Sequence, residues 1–135
     1  MLKYLFSACI LSSIIFSSCS GKADVAVDPD NASAITGTYK MTKYVTETST
    51  SNNPASGNNV ILTKIDKNNV KAVVVYSNTT NTVDLDNIAI TKSGSNYSLD
   101  KTYSNASISG TVTGSTLQLN VNYTNGTYAL ITAVK

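Results

Sequence analysis

From residue 37 onward, apolar and polar residues alternate in short runs, and a turn signal interrupts them about every ten residues. A period of two sends successive side chains to opposite faces of a strand, so each run can bury one face and wet the other. The interruptions are Asp66-Lys67-Asn68-Asn69, Ser77-Asn78-Thr79-Thr80-Asn81, Ser93-Gly94-Ser95-Asn96, Gly114-Ser115 and Asn125-Gly126. Asn125-Gly126 is the strongest hairpin signal, because both central positions of a type I′ turn need positive φ. The pattern predicts strands over 37–47, 59–65, 70–77, 82–92, 96–102, 105–112, 116–123 and 127–134. Residues 48–59 form the one long polar loop. Short links between consecutive strands favour antiparallel neighbours. The expectation is an all-β domain, a small eight-stranded antiparallel up-and-down barrel, with a β-sandwich as the alternative.

Composition agrees. Val, Ile, Leu and Tyr supply most of the large apolar side chains, Thr, Ser and Asn most of the polar ones, and Arg, His and Trp are absent. β-branched residues and tyrosine suit a pleated, half-buried surface. Leu117, Leu119, Val121 and Tyr123 share one face of their strand, and Ala106, Ile108, Gly110 and Val112 share one face of theirs. Val70, Ala72, Val74 and Tyr76 do the same, but Val73 and Val75 make the opposite face apolar too. Strand 127–134 is also apolar on both sides, with Tyr128, Leu130 and Val134 against Ala129, Ile131 and Ala133. Such strands are covered on both faces or meet a partner.

One run breaks parity. Val83 and Leu85 are odd, Ile88 and Ile90 even. Strict alternation puts Asp84 and Asp86 on the isoleucine face, so a β-bulge or break is expected near Asp86-Asn87.

The N-terminal residues carry a different message. Lys3 precedes an apolar stretch, LFSACILSSIIF, which is too short for a spanning helix of about 20 residues and long enough for a signal h-region. Phe16-Ser17-Ser18-Cys19 follows. Charge, apolar run, small residues and cysteine together resemble the lipobox of bacterial lipoprotein signals; an ordinary secretory signal cut near Ala8 or Ser18 is the alternative. The resemblance implies a signal peptide over 1–18 and lipidation, palmitate among the acyl groups, at Cys19. It also implies a bacterial cell-envelope location, anchored to a membrane without a transmembrane helix. Residues 19–35 then read as lipidated cysteine and flexible tether, small and polar with Pro29, able to reach at most about 55 Å. The domain occupies 36–135.

Gly37-Thr38-Tyr39 opens the first strand of that domain. It resembles the Gly-x-Trp start of lipocalins and other calycins, with Tyr39 at the tryptophan position. In that family an Arg packs over this ring; this chain has no Arg. The segment NYSLDKTYSNASISGTVTGSTLQLNVNY resembles the closing hairpins of bacterial lipocalin-like lipoproteins. The resemblance implies a barrel that binds a small apolar or amphipathic molecule. The residues that would line such a pocket are Tyr39, Met41, Val74, Tyr76, Leu119, Val121, Tyr123, Tyr128 and Leu130. The same tyrosines can instead fill an ordinary core, since no Phe or Trp follows Cys19. An eight-stranded interior suits either a solid core or one small ligand.

Other chemistries find little footing. Net charge is +2 with no basic run, which disfavours nucleic acid. Without His, with Cys19 acylated, and with Glu47 the only glutamate, the usual titrating groups of an enzyme are missing. No Gly-x-Ser-x-Gly elbow occurs. A Ser–Lys pairing through Lys40, Lys43, Lys64 or Lys92 is outweighed by ordinary solvated lysines. No cofactor and no metal is expected: zinc and copper lack His and thiolate ligands. Asp84, Asp86 and Asn87 could form a weak calcium site but read better as a solvated patch. Two non-enzymatic readings stay open: a binding module with a cavity, and a structural or protein-interaction lipoprotein with a filled core.

Overall fold

Residues 29–77 and 82–135 are described by the computed structural model of the chain. A short helix, α1 (Asn31–Ile35), precedes nine strands: β1 (Gly37–Thr46), β2 (Thr50–Ser51), β3 (Asn59–Lys64), β4 (Asn69–Val75), β5 (Thr82–Ser93), β6 (Asn96–Thr102), β7 (Ala106–Thr113), β8 (Thr116–Tyr123) and β9 (Tyr128–Val134). From β3 to β9 every strand pairs antiparallel with the next; β1 pairs with β3 on one side and with β9 on the other. The result is a closed eight-stranded antiparallel barrel. The two-residue β2 folds back on β1 as an extra strand, with Tyr44 opposite Ser51. Closure settles the choice against a sandwich, and it leaves no long edge exposed to another chain.

Alternation decides which side chains fill the barrel. Val70, Ala72 and Val74 point inward from β4, Ala106, Ile108 and Val112 from β7, and Leu117, Leu119 and Val121 from β8. The outer wall carries Thr, Ser, Lys and Asp. On β9 the smaller set goes in: Ala129, Ile131 and Ala133, leaving Leu130 outside and 42% exposed. Size complementarity explains the choice. Ala133 stands between Met41 and Leu117, and Ala129 between Thr46 and Val121, so small residues sit where both neighbours are larger. Gly110 serves the same end on β7: a Cβ there would lie 2.6 Å from the Gln118 carbonyl oxygen and 3.1 Å from Leu119 Cδ1.

Two bulges re-aim the chain. The expected one lies in β5. Val70 faces Ile88 and Ala72 faces Leu85, so Lys71 stands opposite both Asp86 and Asn87. Asn87 takes φ of +60°, the left-handed conformation that Asn tolerates better than most residues. The extra residue returns Ile88 and Ile90 to the interior that Leu85 already occupies. The Tyr103 hydroxyl donates to the Asp86 carbonyl at 2.5 Å and braces the kink. A second bulge lies in β1, where Met41 faces Ala133 and Lys43 faces Thr132, with Thr42 in excess. It turns Tyr44 inward after Tyr39 and Met41.

The β8–β9 turn differs from the expected two-residue form. Gly126 N donates to the Tyr123 carbonyl at 3.0 Å and Tyr123 N to the Thr127 carbonyl at 2.8 Å, which makes a three-residue loop over Thr124, Asn125 and Gly126. Only Gly126 has positive φ, +91°. Asn125 instead uses its side chain, accepting from Thr127 N at 3.0 Å. This is the type I turn with a glycine bulge, the next most common hairpin closure.

Of residues 19–35, expected as a lipidated cysteine and tether, 19–28 lie outside the described residues. Residues 31–35 form α1, which buries Ala32 and Ile35 against the lower end of the barrel core. Two buried apolar residues within one turn are too few to register as a period. Asp30 caps the helix, accepting from Ser33 N at 3.1 Å, and pairs with Lys64. Asn31 Nδ2 donates to Asn68 Oδ1 at 2.8 Å and Ala32 N to the Lys67 carbonyl at 2.9 Å, which ties α1 to the β3–β4 turn.

The Lys64 ammonium and the Ser33 donors hold the Asp30 carboxyl down at about 2. A depressed carboxylate contributes stability that is whole above its unfolded pKa, near 3.8, and is lost as pH falls through the folded value. The hold of Asp30 and Lys64 on α1 should therefore loosen between about pH 4 and pH 2. Urea midpoints measured down that range should fall more steeply for the native chain than for Asp30→Asn. Parallel curves would show that the pair contributes nothing.

Candidate functional site

The two ends of the barrel are not equivalent. At one end, where the β3–β4, β5–β6 and β7–β8 turns lie, α1 and Lys135 pack against the core. Tyr39 is buried there; its hydroxyl donates to the Ile35 carbonyl at 2.6 Å, and burial pushes its phenol pKa up. The Lys135 ammonium lies 5.6 Å from the centre of the Tyr39 ring and donates to the Thr36 carbonyl at 2.5 Å. This end is closed by packed side chains.

Among the described residues the other end is open. There the C-terminal parts of β1, β4 and β8 and the N-terminal parts of β5 and β9 surround a pocket of about 360 Å³. Val74, Val83, Leu85, Val121, Ala129 and Ile131 supply its apolar lining, and Tyr44, Tyr76, Tyr123 and Tyr128 its aromatic one. Thr46, Thr48, Thr127 and Glu47 complete it. Tyr44 and Tyr76 meet edge to face, with ring centres 5.8 Å apart and planes at 73°. Burial drives the Tyr76 phenol pKa far up, aided by hydrogen bonding with Tyr44 and by the proximity of Tyr44 and Tyr123. Tyr76 therefore stays protonated and remains a hydrogen-bond donor through the physiological range.

The residues expected to line a cavity fall into three groups. Val74, Tyr76, Val121, Tyr123 and Tyr128 line the open end. Tyr39, Met41 and Leu119 belong to the filled part of the barrel, each at most 3% exposed. Leu130 is corrected to the outer wall, for the packing reason given above. Val83, Leu85 and Ile131 were not anticipated, whereas Tyr44 is among the tyrosines that could line a pocket. For Tyr44 the signal was present: Tyr39 and Met41 are odd and Tyr44 is even, the same parity break that exposes the β5 bulge.

The outer wall offers a shallower feature. A groove of about 440 Å³ runs over β7, β8, β9 and β1, with Val45 and Leu130 as cross-strand neighbours among Lys43, Ser109, Thr111, Gln118 and Thr132. Asn120 Oδ1 is buried beside it without a hydrogen-bond partner. The outward apolar residues of β4 and β9 do not merge into one patch: Val75 faces Asn59, Asn59 faces Lys40, and Lys40 faces Val134.

Among the described residues no three of His, Cys, Asp and Glu gather. At Asp84 and Asp86 the cation is Lys71, whose ammonium lies 2.7 Å from Asp84 Oδ2 and 3.6 Å from Asp86 Oδ1. Those carboxylates in turn raise the Lys71 pKa. Comparison of the chain with protein-family models, with curated proteins and with solved structures found no match.

Proposed function

We propose that this protein is a lipid-anchored bacterial envelope protein whose lipocalin-like barrel binds a small amphipathic ligand at its open end. The observation that carries the reading is the asymmetry of the barrel: one end is sealed by α1, and the other opens on about 360 Å³ of tyrosine-rimmed, Val- and Leu-lined space. That volume is at the small end of the usual range of roughly 300–1,000 Å³. An apolar lining with several tyrosines suits a molecule with an oily body and a small polar head group. The lipocalin likeness draws support from Lys135, which places a cation over the Tyr39 ring where that family uses Arg. The anchor rests on the sequence pattern ending at Cys19.

Native mass spectrometry of protein purified in mild detergent tests the binding reading. It should show a retained small molecule, and Tyr76→Ala should lose it while keeping the native circular dichroism spectrum. A chain that comes off empty, and binds no amphiphile when challenged, defeats this reading. Radiolabelled palmitate should enter the native chain and not Cys19→Ala; equal labelling of both removes the anchor.

A further inference from the structure

The chemistry of the open end goes further than its size. Every described side chain lining the pocket is neutral except Glu47. The lysine nearest in sequence, Lys43, stands on the outer wall, at the groove over β7, β8, β9 and β1. Tyr44 and Tyr76 stand nearly perpendicular, at 73°, so they form an aromatic corner. Tyr123 and Tyr128 add two more rings around the same space. The face of an aromatic ring is electron-rich and attracts an organic cation, most strongly where water is displaced. Glu47, exposed at the rim of the same pocket, is the one charged side chain among its described lining residues and attracts such a head group.

We infer that the open end selects amphiphiles with an ammonium head group, held among the tyrosines beside Glu47 with the alkyl part against Val74 and Leu85. The inference rests on the binding reading above and assigns its ligand class. A fatty acid of the same length fits the apolar lining equally well, but its carboxylate meets Glu47 and no partner cation. The whole chain carries a net charge of +2, which opposes a cationic ligand weakly. That long-range repulsion is screened over roughly 8–10 Å at ordinary salt, whereas the tyrosine and Glu47 contacts act at short range.

Calorimetric titration of the purified protein with octyltrimethylammonium, 1-octanol and octanoate at neutral pH, each below its aggregation limit, tests this. The cation should bind at least about tenfold more tightly than octanoate, and more tightly than the alcohol. Glu47→Gln should lower the ratio of cation to alcohol affinity by about threefold or more, and Tyr76→Leu should lower it further. Equal affinity for all three probes, or a preference for octanoate, overturns the cation assignment and leaves the binding pocket standing. An unchanged ratio in both variants overturns it too. Failure of all three probes to bind overturns the pocket and the assignment together.

Discussion

Leu117→Ala should cost about 3 kcal/mol of unfolding free energy, while Leu130→Ala should cost less than about 1 kcal/mol. Leu117 is fully buried, between Val112 on β7 and Ala133 on β9. Alanine is already present on one flank, so little can collapse into the space left behind. A domain of this size has a total stability of about 5–15 kcal/mol, and a loss of about 3 lowers Tm by more than about 10 °C. Leu130 is the same residue type, on the neighbouring strand, but it faces outward. Chemical denaturation of the two variants side by side therefore reads the inward and outward parity of β8 and β9 directly. Equal losses contradict the register that pairs Leu119 with Ile131.

The second large effect belongs to the β5 bulge. Asn87→Pro cannot reach positive φ, so it breaks the bulge while keeping the number of residues. Strict alternation then puts either Val83 and Leu85 or Ile88 and Ile90 in water. Each buried aliphatic side chain is worth about 1.5–3 kcal/mol, so this variant should cost about 3–6 kcal/mol. Asn87→Gly should fold at least as well as the native chain, because glycine adopts positive φ without a Cβ penalty. Asn87→Val should fall between the two, costing about 1–2 kcal/mol. Deleting Asn87 brings all four aliphatic residues into phase on one face, so it should cost less than the proline variant. Urea midpoints rank the series. A proline variant as stable as the native chain sinks the bulge as the device that keeps both halves of β5 inside.

These two tests bear on what could be read from residues alone. Strand positions were legible because turn residues punctuate a period-two pattern, and the β5 bulge was legible because Leu85 and Ile88 differ in parity. The matching break in β1, Met41 against Tyr44, is written just as plainly; reading it requires knowing that both residues point inward. The orientation of β9 was not legible, because both of its faces are apolar. Its neighbours chose the smaller set, and neighbours are known only once the barrel is closed. The helix α1 escaped because five residues with two buried apolar side chains carry no period; the barrel end gives it stability that its own sequence lacks. At the site, five of the nine expected lining residues reach the open end. Distance along the axis separates them from Tyr39, Met41 and Leu119, and alternation says nothing about depth.

The joint between β1 and β9 carries a consequence for how this molecule is made. Thr42 bonds to Thr132 across 90 positions of chain, and the ring has no other way to shut. Until residues 128–134 arrive, β1 and β8 each show a bare row of amides to whatever is nearby, so an unfinished polypeptide is a sticky one. The same delay keeps the polypeptide pliable, because the barrel cannot lock before its last strand emerges.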